Sequence, residues 1–112
     1  MNKLNEKDRS ILMDFKKRIS TEAGEQIKRI IIFGSRAKGD YSEDSDLDIA
    51  ILVKDRTPKI EKELDDIAYQ VMWDNDFKPV ISLKIFSESG FYDSLRKGYS
   101  FYNHVEKEGL SI

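Results

Sequence analysis

The 112-residue chain predicts a single small α/β (α+β) domain, residues 1–112, with a mixed three- to four-stranded sheet packed with helices. Three observations predict it. The short β-branched run Ile30 to Phe33 suits a strand covered on both faces, and Asp46 to Val53 reads as a second buried strand that begins with two alternating carboxylates. Amphipathic stretches with helical spacing flank both runs. The length fits one core, with roughly 65% of the unfolded chain's surface available for burial.

Composition narrows the class. With 39% hydrophobic and 36% charged residues, the chain reads as globular with a dense charged surface, not as a disordered segment. A net charge of −2 argues against the broad basic surface of a nonspecific nucleic-acid binder. No cysteine is present, which removes disulfides and thiolate metal sites. No segment approaches a membrane span, and Met1 to Glu6 lacks the apolar core of a signal peptide, so the expected location is the cytoplasm.

In chain order, Ile11, Leu12, Phe15 and Ile19 share one face of a helix over about Asn5 to Ala23, with Asp8, Lys16, Lys17 and Arg18 outside that face. The basic trio reads as a solvated face. Strand one is expected over Ile27 to Phe33, then a short helical turn near Arg36 to Lys38 and a polar loop from Gly39 to Ser45. The loop acids Asp40, Glu43 and Asp44 read as solvated. Strand two is expected over Asp46 to Val53. Thr57-Pro58 is a helix start, because threonine caps well and proline fits the first turn. Ile60, Leu64, Ile67, Ala68 and Val71 form that helix's apolar stripe. Trp73 is expected in the core or an interface.

Strand three is expected over Phe77 to Phe86. Ser87 then caps a helix carrying Phe91, Tyr92 and Leu95, closed by Gly98. A last helix ends at Gly109, after which Leu110 and Ile112 fold back or extend as an edge strand. The C-terminal aromatics suit core packing, with a partner interface next. His104, the one histidine, lacks a neighbouring nucleophile and reads as structural or solvated.

Chemistry concentrates between the first two strands. Gly34 permits a sharp turn, and Gly34-Ser35 leaves room for a phosphate near backbone N–H groups and a hydroxyl. Arg36 and Lys38 add positive charge beside it. In strand two, alternation puts Asp46 and Asp48 on one face, about 7 Å apart at about 3.3 Å per residue. Two such charges repel unless a cation lies between them. Mg²⁺ takes oxygen ligands and is commonly held by one or two carboxylates plus substrate phosphates. One site for a metal–nucleotide complex follows. A P-loop does not, since Asp40 stands where its lysine belongs, and no G-x-G-x-x-G occurs. The plainer alternative makes Gly34-Ser35 only a turn and the two aspartates a solvated strand start.

Gly34-Ser35, ten intervening residues and Asp46-x-Asp48 resemble the signature of the polymerase-β-type nucleotidyltransferase fold, and the short chain is similar to its minimal nucleotidyltransferases. The resemblance implies Mg²⁺-dependent transfer of a nucleoside monophosphate, AMP from ATP, to a hydroxyl acceptor. It implies that Gly34 and Ser35 hold the β- and γ-phosphates, that Arg36 and Lys38 stabilise phosphate charge, and that Asp46 and Asp48 hold Mg²⁺, one ion or two. Such proteins are commonly encoded beside a helical HEPN-domain protein as a toxin–antitoxin pair, so a tyrosine of that partner is an expected acceptor. A homo-oligomer is compatible with the sequence. Active members typically carry a third carboxylate on the strand after the second long helix, where Val80 to Ile85 here offers none. Asp74 or Asp76 could then activate the acceptor from the neighbouring loop, or Lys84 could pair with the carboxylates. The alternative is a catalytically weak or inactive subunit of the same fold that caps a helical partner.

Overall fold

A computed structural model describes residues 4–39 and 44–112. Helix α1 (Glu6–Ala23) begins at Asn5, whose side chain accepts from the Asp8 N–H at 2.7 Å. Strand β1 (Ile27–Phe33) runs into the short helix α2 (Gly34–Lys38), and β2 (Leu47–Val53) follows the loop. Helix α3 (Pro58–Asp74) carries its proline in the first turn, behind the Thr57 hydroxyl, which accepts from Ile60 N–H at 3.2 Å. Strand β3 (Ile81–Ser87), helices α4 (Glu88–Arg96) and α5 (Ser100–Glu108), and the two-residue β4 (Leu110–Ser111) complete the chain.

The sheet order is β3-β2-β1-β4. Strands β1 and β2 are antiparallel, with Phe33 opposite Asp48, while β2 and β3 are parallel, with Asp48 opposite Ser82. Strand β4 pairs antiparallel to β1, so Leu110 folds back as an edge strand, as expected.

Alternation sends successive side chains of the central strands into two separate layers. Ile30, Ile32, Leu47, Ile49, Ile51 and Val53 pack with Ile11, Leu12, Phe15 and Ile19 of α1 and with Ile60, Leu64, Ala68 and Val71 of α3. Ile31, Phe33, Ala50 and Leu52 pack on the other face with Phe91 of α4 and Val105 of α5. Asp48 belongs to this second face, where its strand partner Phe33 meets the Phe101 ring of α5 at 5.7 Å.

One expectation is corrected and a second is narrowed to its interface alternative. Strand three starts at Ile81, not Phe77, because Asp76 and Phe77 adopt φ of 56° and 57° and Pro79 follows them. Backbone in that region turns the chain, and proline has no N–H for a ladder. Trp73 lies outside the core at 62% exposure, forming an aromatic group with Tyr69 and Phe77. A helical stripe already fills the α3–sheet contact, so this ring is left on the helix's outer flank.

Candidate active site

The site forms because an antiparallel pair brings the end of β1 to the start of β2. Gly34 follows Phe33, whose strand partner is Asp48. Gly34 has φ +79°, and a Cβ placed there would fall on Oδ2 of Asp48, well inside contact distance. Glycine is thus required twice, by backbone conformation and by the carboxylate that occupies its side-chain space. Asp48 is half-buried against the turn, and Asp46 is exposed just before β2.

Electrostatics agree with the geometry. Burial, and then the nearby Asp46 charge, raise Asp48 above the usual carboxylate range; the Lys84 ammonium and a hydrogen bond with Ser82 act in the opposite direction. A half-buried carboxylate with a second acid two residues away along the chain is a donor set suited to a hard cation. Among the described residues these two acids could hold a hard cation together with substrate phosphates. A second ion needs bridging carboxylates, since two ions about 3.5–4 Å apart otherwise repel. Among the described residues no group of three or more acidic or histidine side chains gathers.

Strand β3 explains how the position of the expected third acid is filled. Ser82 lies opposite Asp48 and Lys84 opposite Ala50, on the same face. Ser82 bonds to Asp48 and Lys84 adds positive charge to it. Lys84 thus influences Asp48 through its charge, while no ion pair of Lys84 with either carboxylate occurs among the described residues.

The two cations of the turn have protein partners. Arg36 is 4% exposed and its Nη1 donates to both carboxylate oxygens of Asp8, at 3.1 and 2.9 Å, while its Nε donates to the Ser45 carbonyl at 2.7 Å. Asp8, expected outside the apolar face of α1, is only 1% exposed. Lys38 pairs with Glu108 at 2.9 Å on the surface, and the same Glu108 carboxylate lies 3.5 Å from His104 Nδ1. Of the loop acids, Asp44 is exposed as expected; Asp40 and Glu43 lie outside the described residues.

Asp74 does not reach the carboxylate pair. It accepts from Arg18 of α1 at 2.8 Å, which holds it below the usual carboxylate range. Asp76 sits exposed in the turn before β3. The sequence reading missed the Asp8–Arg36 pair. Its only trace there was an aspartate in the first turn of a helix, where the helix dipole already accounts for an acid.

The chain is similar to known proteins over most of its length. A family model described as a nucleotidyltransferase domain matches residues 12–104. "Putative protein adenylyltransferase MJ0141" of Methanocaldococcus jannaschii is 36% identical over 105 residues, covering 91% of this chain and 95% of the relative. A second protein of that organism, "Putative protein adenylyltransferase MJ0604", is 63% identical over 27 residues, 24% of this chain and 27% of the relative.

Proposed function

Because this chain belongs to the nucleotidyltransferase-domain family, we propose that it transfers AMP from ATP to a hydroxyl acceptor, with one Mg²⁺ held by Asp46 and Asp48. The observation that carries this reading is the seating of Asp48's carboxylate in the side-chain space of Gly34. A phosphate lying over the turn would meet that carboxylate, so anion and cation would be bound side by side.

Each residue has a distinct task in this reading. Gly34 and the Ser35 hydroxyl receive the β- and γ-phosphates. Asp46 and Asp48 orient the metal–nucleotide complex and set the α-phosphate in line with the acceptor. When bound, Mg²⁺ supplies charge neutralisation for the leaving pyrophosphate. Lys84, from β3, would contribute positive charge beside Asp48. Arg36 supports the turn through Asp8, and Lys38 lies at its rim, where a triphosphate could draw it from Glu108. Positioning and charge stabilisation supply most of the acceleration in phosphoryl chemistry, and this set provides both.

The names of the two relatives support AMP as the group transferred and a protein as its acceptor. The resemblance to minimal nucleotidyltransferases suggests a tyrosine of a HEPN-domain partner. Among the described residues no helix is long and apolar enough to cross a membrane. One observation favours a second reading: Ser82 and Lys84 stand where an active member's third acid is expected. A chain that holds Mg²⁺ and ATP yet transfers slowly, acting by capping its partner, accords with that.

Labelling with ATP tagged at the α-phosphate tests the enzyme. The unsubstituted protein, supplied with candidate acceptor protein, should transfer label, and Asp46→Asn with Asp48→Asn should abolish it. Labelling that survives both substitutions overturns the assignment. Mg²⁺-dependent ATP binding without labelling selects the capping subunit.

A further inference from the structure

We propose that Asp8 is a positioning residue of the site: through Arg36 it fixes where β2 begins, and so holds Asp46 beside Asp48 ready for a cation. This rests on the metal–nucleotide reading of the two aspartates and adds the first turn of α1 to their machinery.

Asp8 and Arg36 are the two buried charged side chains among the described residues. A buried ion pair is weak evidence for stability, because desolvation offsets much of the attraction, while its directional bonds can fix geometry. Here the directions are informative. One edge of the guanidinium meets the Asp8 carboxylate at 2.9 and 3.1 Å, and Nε meets the Ser45 carbonyl at 2.7 Å. Asp8 is itself fixed, since its N–H donates to the Asn5 side chain.

Ser45 immediately precedes Asp46, and the Leu47 N–H on its far side donates to the Val80 carbonyl at 2.8 Å. Asp46 is therefore held between two anchored neighbours. Without a cation, Asp46 and Asp48 repel, and a loosely held strand start would relieve the repulsion by swinging Asp46 away. The Arg36–Ser45 bond opposes that relaxation. Arginine suits the task because a rigid fork serves two acceptors at set angles, whereas a lysine ammonium is a single rotating point charge.

The test uses the full chain with Asp8→Asn, the milder Arg36→Lys, and Leu64→Ala as a control that weakens the core away from the site. Amide hydrogen exchange is measured without ligand, and the Mg²⁺ concentration for half-maximal ATP binding is measured by titration. Asp8→Asn and Arg36→Lys should speed exchange at residues 45–48 and leave α3 unchanged. Both should raise the Mg²⁺ half-saturation by about tenfold, the scale of losses from groups that orient metal ligands. Leu64→Ala should lower Tm and leave the Mg²⁺ half-saturation in place. Unchanged exchange at residues 45–48 in both variants overturns the proposal even if ATP binds. So does a Leu64→Ala shift in Mg²⁺ half-saturation equal to that of Asp8→Asn. If the unsubstituted protein shows no Mg²⁺-dependent ATP binding, the metal–nucleotide reading itself fails and takes this role with it, a result separable from the exchange data.

Discussion

Gly34 and Asp48 form a pair in which each limits the other. Gly34→Ala would force a Cβ onto the Asp48 carboxylate and place alanine at φ +79°, a conformation costing roughly 1–2 kcal/mol before any clash. The expected outcome is a lower Tm together with loss of Mg²⁺-dependent ATP binding, measured by calorimetry; retained binding would show that the turn tolerates displacement of Asp48. Asp48's raised pKa has a definite sign. The folded protein keeps that proton at pH values where the unfolded chain has lost it. Ionising Asp48 therefore reduces stability, and the reduction grows as pH rises from the unfolded value through the folded one; below that window it vanishes. A cation that binds the ionised form reverses the preference, so Mg²⁺ affinity should fall as pH drops through the raised value. Lys84→Met removes one of the influences that lower it. The Asp48 carboxyl titration followed by NMR should then move to higher pH, and an unmoved midpoint would exclude the ammonium from the site's electrostatics.

At the scale of elements, strands β1 and β2 were legible, and Gly34 and Asp48 were each singled out, because their signals are local: β-branched runs, a glycine turn, and alternation along one strand; the contact between Gly34 and Asp48 across the strand pair was not. The start of β3 was not. Val80 to Phe86 is apolar enough to extend backward to Phe77, and nothing in residue type announces that Asp76 and Phe77 take left-handed backbone. The Asp8–Arg36 pair was hidden for a different reason, as it joins residues 28 positions apart, and periodicity describes only neighbours within an element. Of the two places expected for Trp73, the core fails because the layer beneath α3 was already filled by smaller side chains. The β2–β3 register makes one expectation sharp. Ser82 faces Asp48 directly, so Ser82→Asp would put a third acid beside the Asp46/Asp48 pair. Divalent binding, followed with Mn²⁺ in the presence of ATP, should change from one ion per chain to two. A stoichiometry that stays at one would mean that Lys84 continues to hold the second position.

The whole molecule divides its work between the faces of one sheet. The face covered by α1 and α3 is the larger apolar layer, and Leu64→Ala there should cost about 2–5 kcal/mol without changing the site's ligand preference. The other face carries the site, and its covering helices are attached partly by polar bonds centred on Arg29. From β1, Arg29 donates to Glu106 of α5 at 2.7 Å, to the Tyr92 hydroxyl of α4 at 3.1 Å, and to Ser111 Oγ of β4 at 3.0 Å. One guanidinium thus joins four elements around the smaller apolar layer of Phe91 and Val105. Arg29→Met keeps a long apolar stem over the strand but removes every donor. Because the pair is partly exposed, the loss should be about 1–2 kcal/mol, below the full value for bonds to charged groups. Its distribution is the informative part. Hydrogen exchange should accelerate across α4 and α5 while α1 and α3 keep their protection, since the larger layer does not depend on Arg29. A uniform acceleration would instead mean that both faces open together, and that the helices beside the site have no independent freedom to admit an acceptor.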